Sequence, residues 1–293
     1  MQRLPLEDRK FIVNLNKEPV MQRTSNARQT DPRYHPPFQL STLGSVALCL
    51  GLLTAAPCRA DLPTTLERVK PAVVGVGTLQ KTRTPAVHLL GTGFAISDGL
   101  HVITNAHVVA KTIDVAQNEA FIVLAGQGQE PQPRPAQIVA VAKEYDLALL
   151  KIGGAPLPAL TIGDSETVRE GQAVAFTGFP IGMALGLYPA THRGTISAIT
   201  PIVIPSMTAR QLDVKSVNRI RKGSFRIFQL DATAYPGNSG SPLYDPETGE
   251  VYGIVNMVFV KSTKEAVLSQ PSGISYAIPA SYIKELLSPI KQN

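Results

Sequence analysis

Cysteine, tryptophan and long apolar runs are what this sequence lacks. Its two cysteines, Cys49 and Cys58, both lie before residue 61. Disulfides are therefore not expected in the region that follows, and thiolate nucleophiles and Cys-based metal sites are excluded there. Tryptophan is absent, and long amphipathic helices are scarce while Pro (24) and Gly (23) are plentiful. That balance favours a turn-rich, mostly β protein. The longest apolar run, residues 43–56, is too short to span a bilayer comfortably. Excess charge is also missing where it would matter. The chain carries a net +6, but residues 1–60 hold eight Lys/Arg and four Asp/Glu, leaving 20 basic against 18 acidic residues in the remainder. A region so near neutrality has no electrostatic footprint for nucleic acid.

What is present divides the chain. Residues 1–40 are polar and aperiodic, and are expected to be unstructured. The apolar run that follows, preceded by Arg23, Arg28 and Arg33 and ending near Cys58-Arg59-Ala60, reads as a secretory signal peptide cut after Ala60. Met1 and Met21 are alternative starts, and a buried core helix or an uncleaved membrane anchor are alternative readings of the run. A periplasmic or secreted location is the expectation, membrane-anchored if the run is retained.

From residue 61 onward the pattern is of short β-rich runs with Gly, Pro or Asp/Asn between them. Strands are expected at 72–79, 87–97, 100–104, 120–124, 138–142 and 147–152. A second series follows at 173–177, 194–199, 202–204, 225–230, 251–260 and 274–278. Residues 153–160, which contain Pro-Leu-Pro, divide the two series as a linker. Ile283, Leu286, Leu287 and Ile290 recur at helical spacing and predict a C-terminal helix over 281–290.

One turn stands out chemically. In Tyr235-Pro236-Gly237-Asn238-Ser239-Gly240-Ser241-Pro242 a serine sits among turn residues just after an apolar run. A hydroxyl on a tight, glycine-flanked turn can be exposed while backbone N–H groups point at the same spot, the geometry of a nucleophile beside an oxyanion hole. The same composition is also that of an ordinary turn. A serine nucleophile needs a base. Of the five histidines, His107 lies where a hydrophobic strand ends and the chain turns, although a structural role is equally open at that point. The base needs an orienting carboxylate. Asp146 begins the apolar run Leu147–Ile152, a place where an unpaired charge is poorly accommodated, with a strand-entry cap as the alternative. Asp98, Asp114 and Asp164 are weaker candidates.

The order His107, Asp146, Ser239 and the segments around them resemble trypsin-like serine proteases, most closely the HtrA/Deg branch. The resemblance runs from about residue 66 to 289. It is carried by Gly91-Thr92-Gly93-Phe94, Thr104-Asn105-Ala106-His107, Asp146-Leu147-Ala148-Leu149, Gly178-Phe179-Pro180, Gly194-Thr195-Ile196-Ser197, Gln229-Leu230-Asp231-Ala232 and Gly273-Ile274-Ser275-Tyr276-Ala277-Ile278-Pro279. It implies an all-β fold of two six-stranded antiparallel barrels of the chymotrypsin type. The first barrel would span about 61–152 and the second about 161–280, so that 61–293 form one protease domain behind a 1–60 leader. His107 and Asp146 would come from the first barrel and Ser239 from the second, with the N–H groups of Gly237 and Ser239 forming the oxyanion hole.

The resemblance further implies polypeptide substrates, no metal or organic cofactor, and a monomer or homotrimer. Thr233 occupies the position that is acidic in proteases cutting after Arg or Lys. With Val255, Asn256 and Met257 it is expected to line the primary pocket and to favour small or medium apolar side chains. Three departures from the family pattern are visible. Ser241 stands where a second glycine is common. No PDZ module is expected before the chain ends at Asn293. Residues 200–226 form a long basic loop, solvated or regulatory. A catalytically silent trypsin-fold protein that binds polypeptides or a partner is the alternative function.

Overall fold

The computed structural model describes residues 61–180, 182, 186–202, 225–256 and 273–288. The leader, the apolar run with both cysteines, most of the basic 200–226 loop and Met257 lie outside the described residues.

Twelve strands form two closed antiparallel barrels. The first has the order β1-β2-β3-β6-β5-β4 and the second β10-β11-β12-β9-β8-β7. In the first barrel β1 is Val73–Leu79, β2 Val87–Ile96, β3 His101–Asn105, β4 Ala120–Ala125, β5 Gln132–Ala142 and β6 Leu147–Ile152. In the second β7 is Ala173–Gly178, β8 Ala190–Ile202, β9 Phe225–Asp231, β10 Pro242–Tyr244, β11 Val251–Asn256 and β12 Ile274–Pro279. This is the expected fold class. Closure pairs every edge strand, which disposes of the aggregation hazard of an open sheet.

The differences from the expected elements have local causes. β5 begins six residues early, through Pro133 and Pro135. Those residues pair only with β4, while 136–142 pair with β6, so the prolines sit where the strand has one partner and needs fewer donors. The run at 194–199 and Ile202, the first residue of the run expected at 202–204, lie in the single strand β8, bulged between Ile196 and Ala198; residues 203–204 lie outside the described residues. β10, only three residues long, carries too short a pattern to be legible. Helix α1 (Leu62–Val69) was also not expected. Asp61 caps it by accepting from the Thr64 N–H at 3.1 Å, and Thr65 ties it to the Glu247 carbonyl at 2.8 Å. Helix α2 (Ala280–Leu287) closes the described chain; residues 289–290 of the expected helix lie outside it. Neither helix is long and apolar enough to cross a membrane.

The core has three parts. Val74, Val76, Val102, Val123 and Leu150 fill the first barrel, and Phe176, Ile196, Phe228, Leu230 and Val255 fill the second. A third cluster joins Val73, Phe94, Ile103, Leu147 and Leu149 to Tyr244, Val251, Ile254 and Ile278, making a continuous apolar seam between the barrels. Each fully buried side chain of this size is worth about 1.5–3 kcal/mol, so the seam holds the two halves in register. The connection also hydrogen-bonds to both halves: Leu160 N–H donates to the Ala95 carbonyl and Gly163 N–H to that of Val251, each at 2.9 Å.

The buried carboxylate of Glu119 fastens the rim of the first barrel. It accepts from the Thr78 hydroxyl at 2.7 Å, Arg83 at 2.9 Å, Lys111 at 3.1 Å and the Asp114 N–H at 3.0 Å. The Thr78 bond foremost, then those from Asp114, Lys111 and Arg83, holds its pKa well below the usual carboxylate range. A depressed folded pKa contributes stability above the unfolded value of about 4.3 that is lost as pH falls. Glu119→Gln is therefore expected to melt lower than the parent at pH 7, the gap narrowing steadily below about pH 4. A gap independent of pH in thermal melts would refute this.

Candidate active site

The site lies where the seam between the barrels meets solvent. β3 ends at Asn105, and β6 begins opposite it at Leu147. The residues just beyond, His107 and Asp146, are thereby brought together from 39 positions apart. The turn from Lys143 closes through the Asp146 N–H onto the Lys143 carbonyl at 3.3 Å, and Asp146 adopts φ +51°. This left-handed backbone is costly for a non-glycine residue and must be held by its surroundings. Three groups hold it. The Asp146 carbonyl accepts from Ala106 N–H at 3.0 Å and Asn105 Nδ2 at 3.2 Å, and Oδ1 accepts from His107 N–H at 2.8 Å.

Asp146 Oδ2 lies 2.6 Å from His107 Nδ1 and also accepts from Asn256 Nδ2 at 2.7 Å. The carboxylate thus carries three donors on two oxygens. The His107 side chain is 29% exposed and that of Asp146 19%, so the imidazole is the more open of the two. Asn256 comes from the second barrel.

Ser239 lies within the second of two successive turns. Asn238 N–H donates to the Tyr235 carbonyl at 2.9 Å, and Ser241 N–H to that of Asn238 at 3.0 Å. Pro236 and Gly237 are the central residues of the first, and Gly237 has φ +100°. Proline followed by a residue at positive φ is a type II turn, whose central peptide is flipped relative to type I. Gly237 also has no room for a side chain: a Cβ would stand 2.2 Å from the Phe179 carbonyl oxygen. Gly240 (φ +91°) is tighter still, with a Cβ 1.8 Å from the Thr92 carbonyl oxygen. From the second turn, Gly240 N–H donates to the Val255 carbonyl and the Ser241 carbonyl accepts from Val255 N–H. The serine is thus anchored to β11, whose next residue, Asn256, grips Asp146. Among the described residues neither the Gly237 nor the Ser239 N–H has a protein partner.

The matching family is the trypsin-like peptidase domain, over residues 91–254. This chain is a member of the trypsin-like peptidase family. Within it the chain is HtrA/Deg-like. It is 34% identical over 190 residues to a probable periplasmic serine endoprotease DegP-like of Halomonas elongata, covering 65% of this chain and 32% of that relative. A protein of the same description from Pseudomonas putida is 28% identical over 290 residues, covering 85% of this chain and 53% of its own. The chain thus spans between a third and about half of the length of these curated relatives. Among solved structures, HtrA-type protease AlgW with decapeptide superposes with TM-score 0.58 at 25% identity, over 80% of this chain and 68% of that one. AlgW with tripeptide gives 0.55 at 27%, over 78% and 63%.

The residues expected to line the primary pocket are placed as follows. The Val255 side chain is packed into the second barrel's core, and the Asn256 amide is spent on Asp146. Successive residues of a strand point to opposite faces, so the two side chains are directed to different sides of β11. Thr233 is half-buried, and Met257 lies outside the described residues. The Ser275 hydroxyl, which sequence reasoning passed over, donates to the Ala232 carbonyl at 2.7 Å and accepts from Ala234 N–H at 2.9 Å, bracketing Thr233. The other acids are structural: Asp98 bonds His101 and Leu100 N–H, while Asp114 and Asp164 cap short turns. His192 stacks on Phe176 at 4.9 Å, and burial pushes its pKa below the ordinary histidine value.

Ser241 fits for a visible reason. It is fully buried, and its hydroxyl faces Gly178, where a Cβ would stand 2.0 Å from Oγ. Gly178→Ala is expected to cost roughly 1–3 kcal/mol of stability through overpacking, and adding Ser241→Gly to recover at least half of it. Thermal melts of the four members of this cycle measure the coupling; strictly additive effects would show that the two positions do not share the space.

Proposed function

We propose that the chain is a serine endopeptidase in which Ser239 is the nucleophile, His107 the general base and acid, and Asp146 the carboxylate that orients it. The observation that carries this reading is the 2.6 Å His107–Asp146 contact, with Asn256 as a further donor from the strand whose preceding residue, Val255, is bonded to the serine turn. Ser239 Oγ attacks the peptide carbonyl and His107 Nε2 takes its proton. Asp146 keeps Nδ1 protonated and stabilises the imidazolium as it forms. The developing oxyanion is received by the Gly237 and Ser239 N–H groups, each worth about a hundredfold or more in rate. His107 then returns the proton to the leaving amine, and water hydrolyses the acyl-enzyme by the same route. The type II turn at Pro236-Gly237 supports a hole formed before substrate arrives.

Polypeptides are the proposed substrates, consistent with the peptides named in the AlgW structures. With no carboxylate at Thr233, cleavage after Arg or Lys is disfavoured, and small or medium apolar residues before the cut are preferred. Export to the periplasm, in line with the names of the relatives, and a 1–60 leader preceding a 61–293 peptidase domain complete the proposal.

The test is covalent. A fluorophosphonate probe incubated with the protein is expected to modify one residue, mapped by peptide mass spectrometry to Ser239. Absence of labelling in folded protein, or labelling elsewhere, would overturn the proposal.

A further inference from the structure

Thr92 belongs to the first barrel, yet its polar atoms serve the serine turn of the second. It lies on β2 and is fully buried. Its N–H donates to the Ser239 carbonyl at 2.8 Å. Its hydroxyl donates to the Gly237 carbonyl at 2.7 Å and accepts from the Phe179 N–H at 3.1 Å. Its own carbonyl accepts from the Thr104 hydroxyl at 2.7 Å, which fixes Thr92 to β3. A hydroxyl has one proton to give, so the Phe179 bond defines which way it is given.

We infer that Thr92 is a positioning residue for the oxyanion donors, a role that rests on the serine-peptidase reading above. The peptide that presents the Ser239 N–H joins Asn238 to Ser239. The carbonyls on either side of it, Gly237 O and Ser239 O, are both held by Thr92, one through the hydroxyl and one through the main chain. With both neighbouring carbonyls held, the loop cannot carry that peptide away as a whole without breaking one of these bonds. The Gly237 carbonyl is also the last part of the type II turn, so holding it maintains the turn that aims the Gly237 N–H. A buried carbonyl without its donor is costly, which makes the held orientation the favoured one. Thr92 touches no substrate atom; it acts through the turn.

A plain tether between the barrels would also use these bonds, so the test must separate orientation from stability. Thr92→Val keeps the shape and the main-chain N–H and removes only the hydroxyl. Thr92→Ser keeps the hydroxyl, and Thr92→Cys offers a weaker donor. Each is compared with the parent by thermal melt, by kcat and KM on a peptide substrate, and by fluorophosphonate labelling rate. Peptide affinity is measured separately in a Ser239→Ala background. Thr92→Val is expected to lose about a hundredfold in kcat and labelling rate, with KM and peptide affinity changed less than threefold. Thr92→Ser should remain within about threefold of the parent and Thr92→Cys fall between, in the order of donor strength. If the valine variant does not fold, the serine–cysteine comparison decides.

Folded Thr92→Val with parental kcat would overturn the inference, as would a loss of peptide affinity equal to the loss of rate. So would a serine variant no better than cysteine. An inactive, unlabelled parent would instead sink the peptidase reading, and the inference with it.

Discussion

Ser239→Ala is expected to abolish fluorophosphonate labelling and to reduce peptide hydrolysis by roughly a million-fold, while the folded protein still binds peptide. The loss is this large because every covalent step passes through Oγ. What remains is the contribution of the oxyanion donors and of binding, on the order of a thousandfold over water. The fold should survive because Ser239 is held by its main chain. Its carbonyl accepts from Thr92 N–H, and the adjoining Gly240 N–H is bonded to Val255. The check is a single-turnover assay with near-stoichiometric substrate, alongside a thermal melt. Residual activity above about a hundredth of the parent would mean that Ser239 is not the nucleophile.

Asp146→Asn is expected to cost about ten-thousand-fold in kcat at neutral pH with little change in fold. The carboxylate accepts from His107 Nδ1 and Asn256 Nδ2 on Oδ2, and from His107 N–H on Oδ1. An asparagine must put an NH₂ at one of these positions. At Oδ2 it faces the Asn256 donor and presents a donor to His107 Nδ1, so the imidazole carries its proton on Nε2 and cannot accept one from serine. At Oδ1 it opposes the His107 N–H. Either orientation sets donor against donor, and both also remove the charge that stabilises the imidazolium. The pH dependence of the loss separates this from simple misplacement. Raising the pH should restore some rate as hydroxide-dependent catalysis takes over, whereas a misfolded variant would gain nothing. Activity within tenfold of the parent at pH 7 would exclude Asp146 from the proposed role.

The order of the three residues, the β-rich segmentation and the boundaries of most strands were legible because they are local. Val73–Leu79 and Leu147–Ile152 announce themselves as apolar β-formers bounded by turn residues, and Pro236-Gly237 announces a turn. α1 and β10 were not legible. Eight residues with a proline in second place make a weak helical pattern, and three residues make no strand pattern at all. Val255 and Asn256 were assigned to a pocket because the family likeness placed them near one, but which face each presents depends on the register of β11 against β12 and β10.

The residues alone thus specified which groups could do the chemistry: a serine in a glycine-flanked turn, a histidine at a strand end, an aspartate at a strand entry. Only the folded barrels settled that Asn256 shares Asp146 with His107 and that Thr92 holds the carbonyls on both sides of the Asn238–Ser239 peptide. The physical reason is range. Turn conformation and strand periodicity depend on neighbours a few residues away. A hydrogen bond between residues 92 and 237, or 146 and 256, depends on barrel closure and strand register, which no local stretch of sequence encodes.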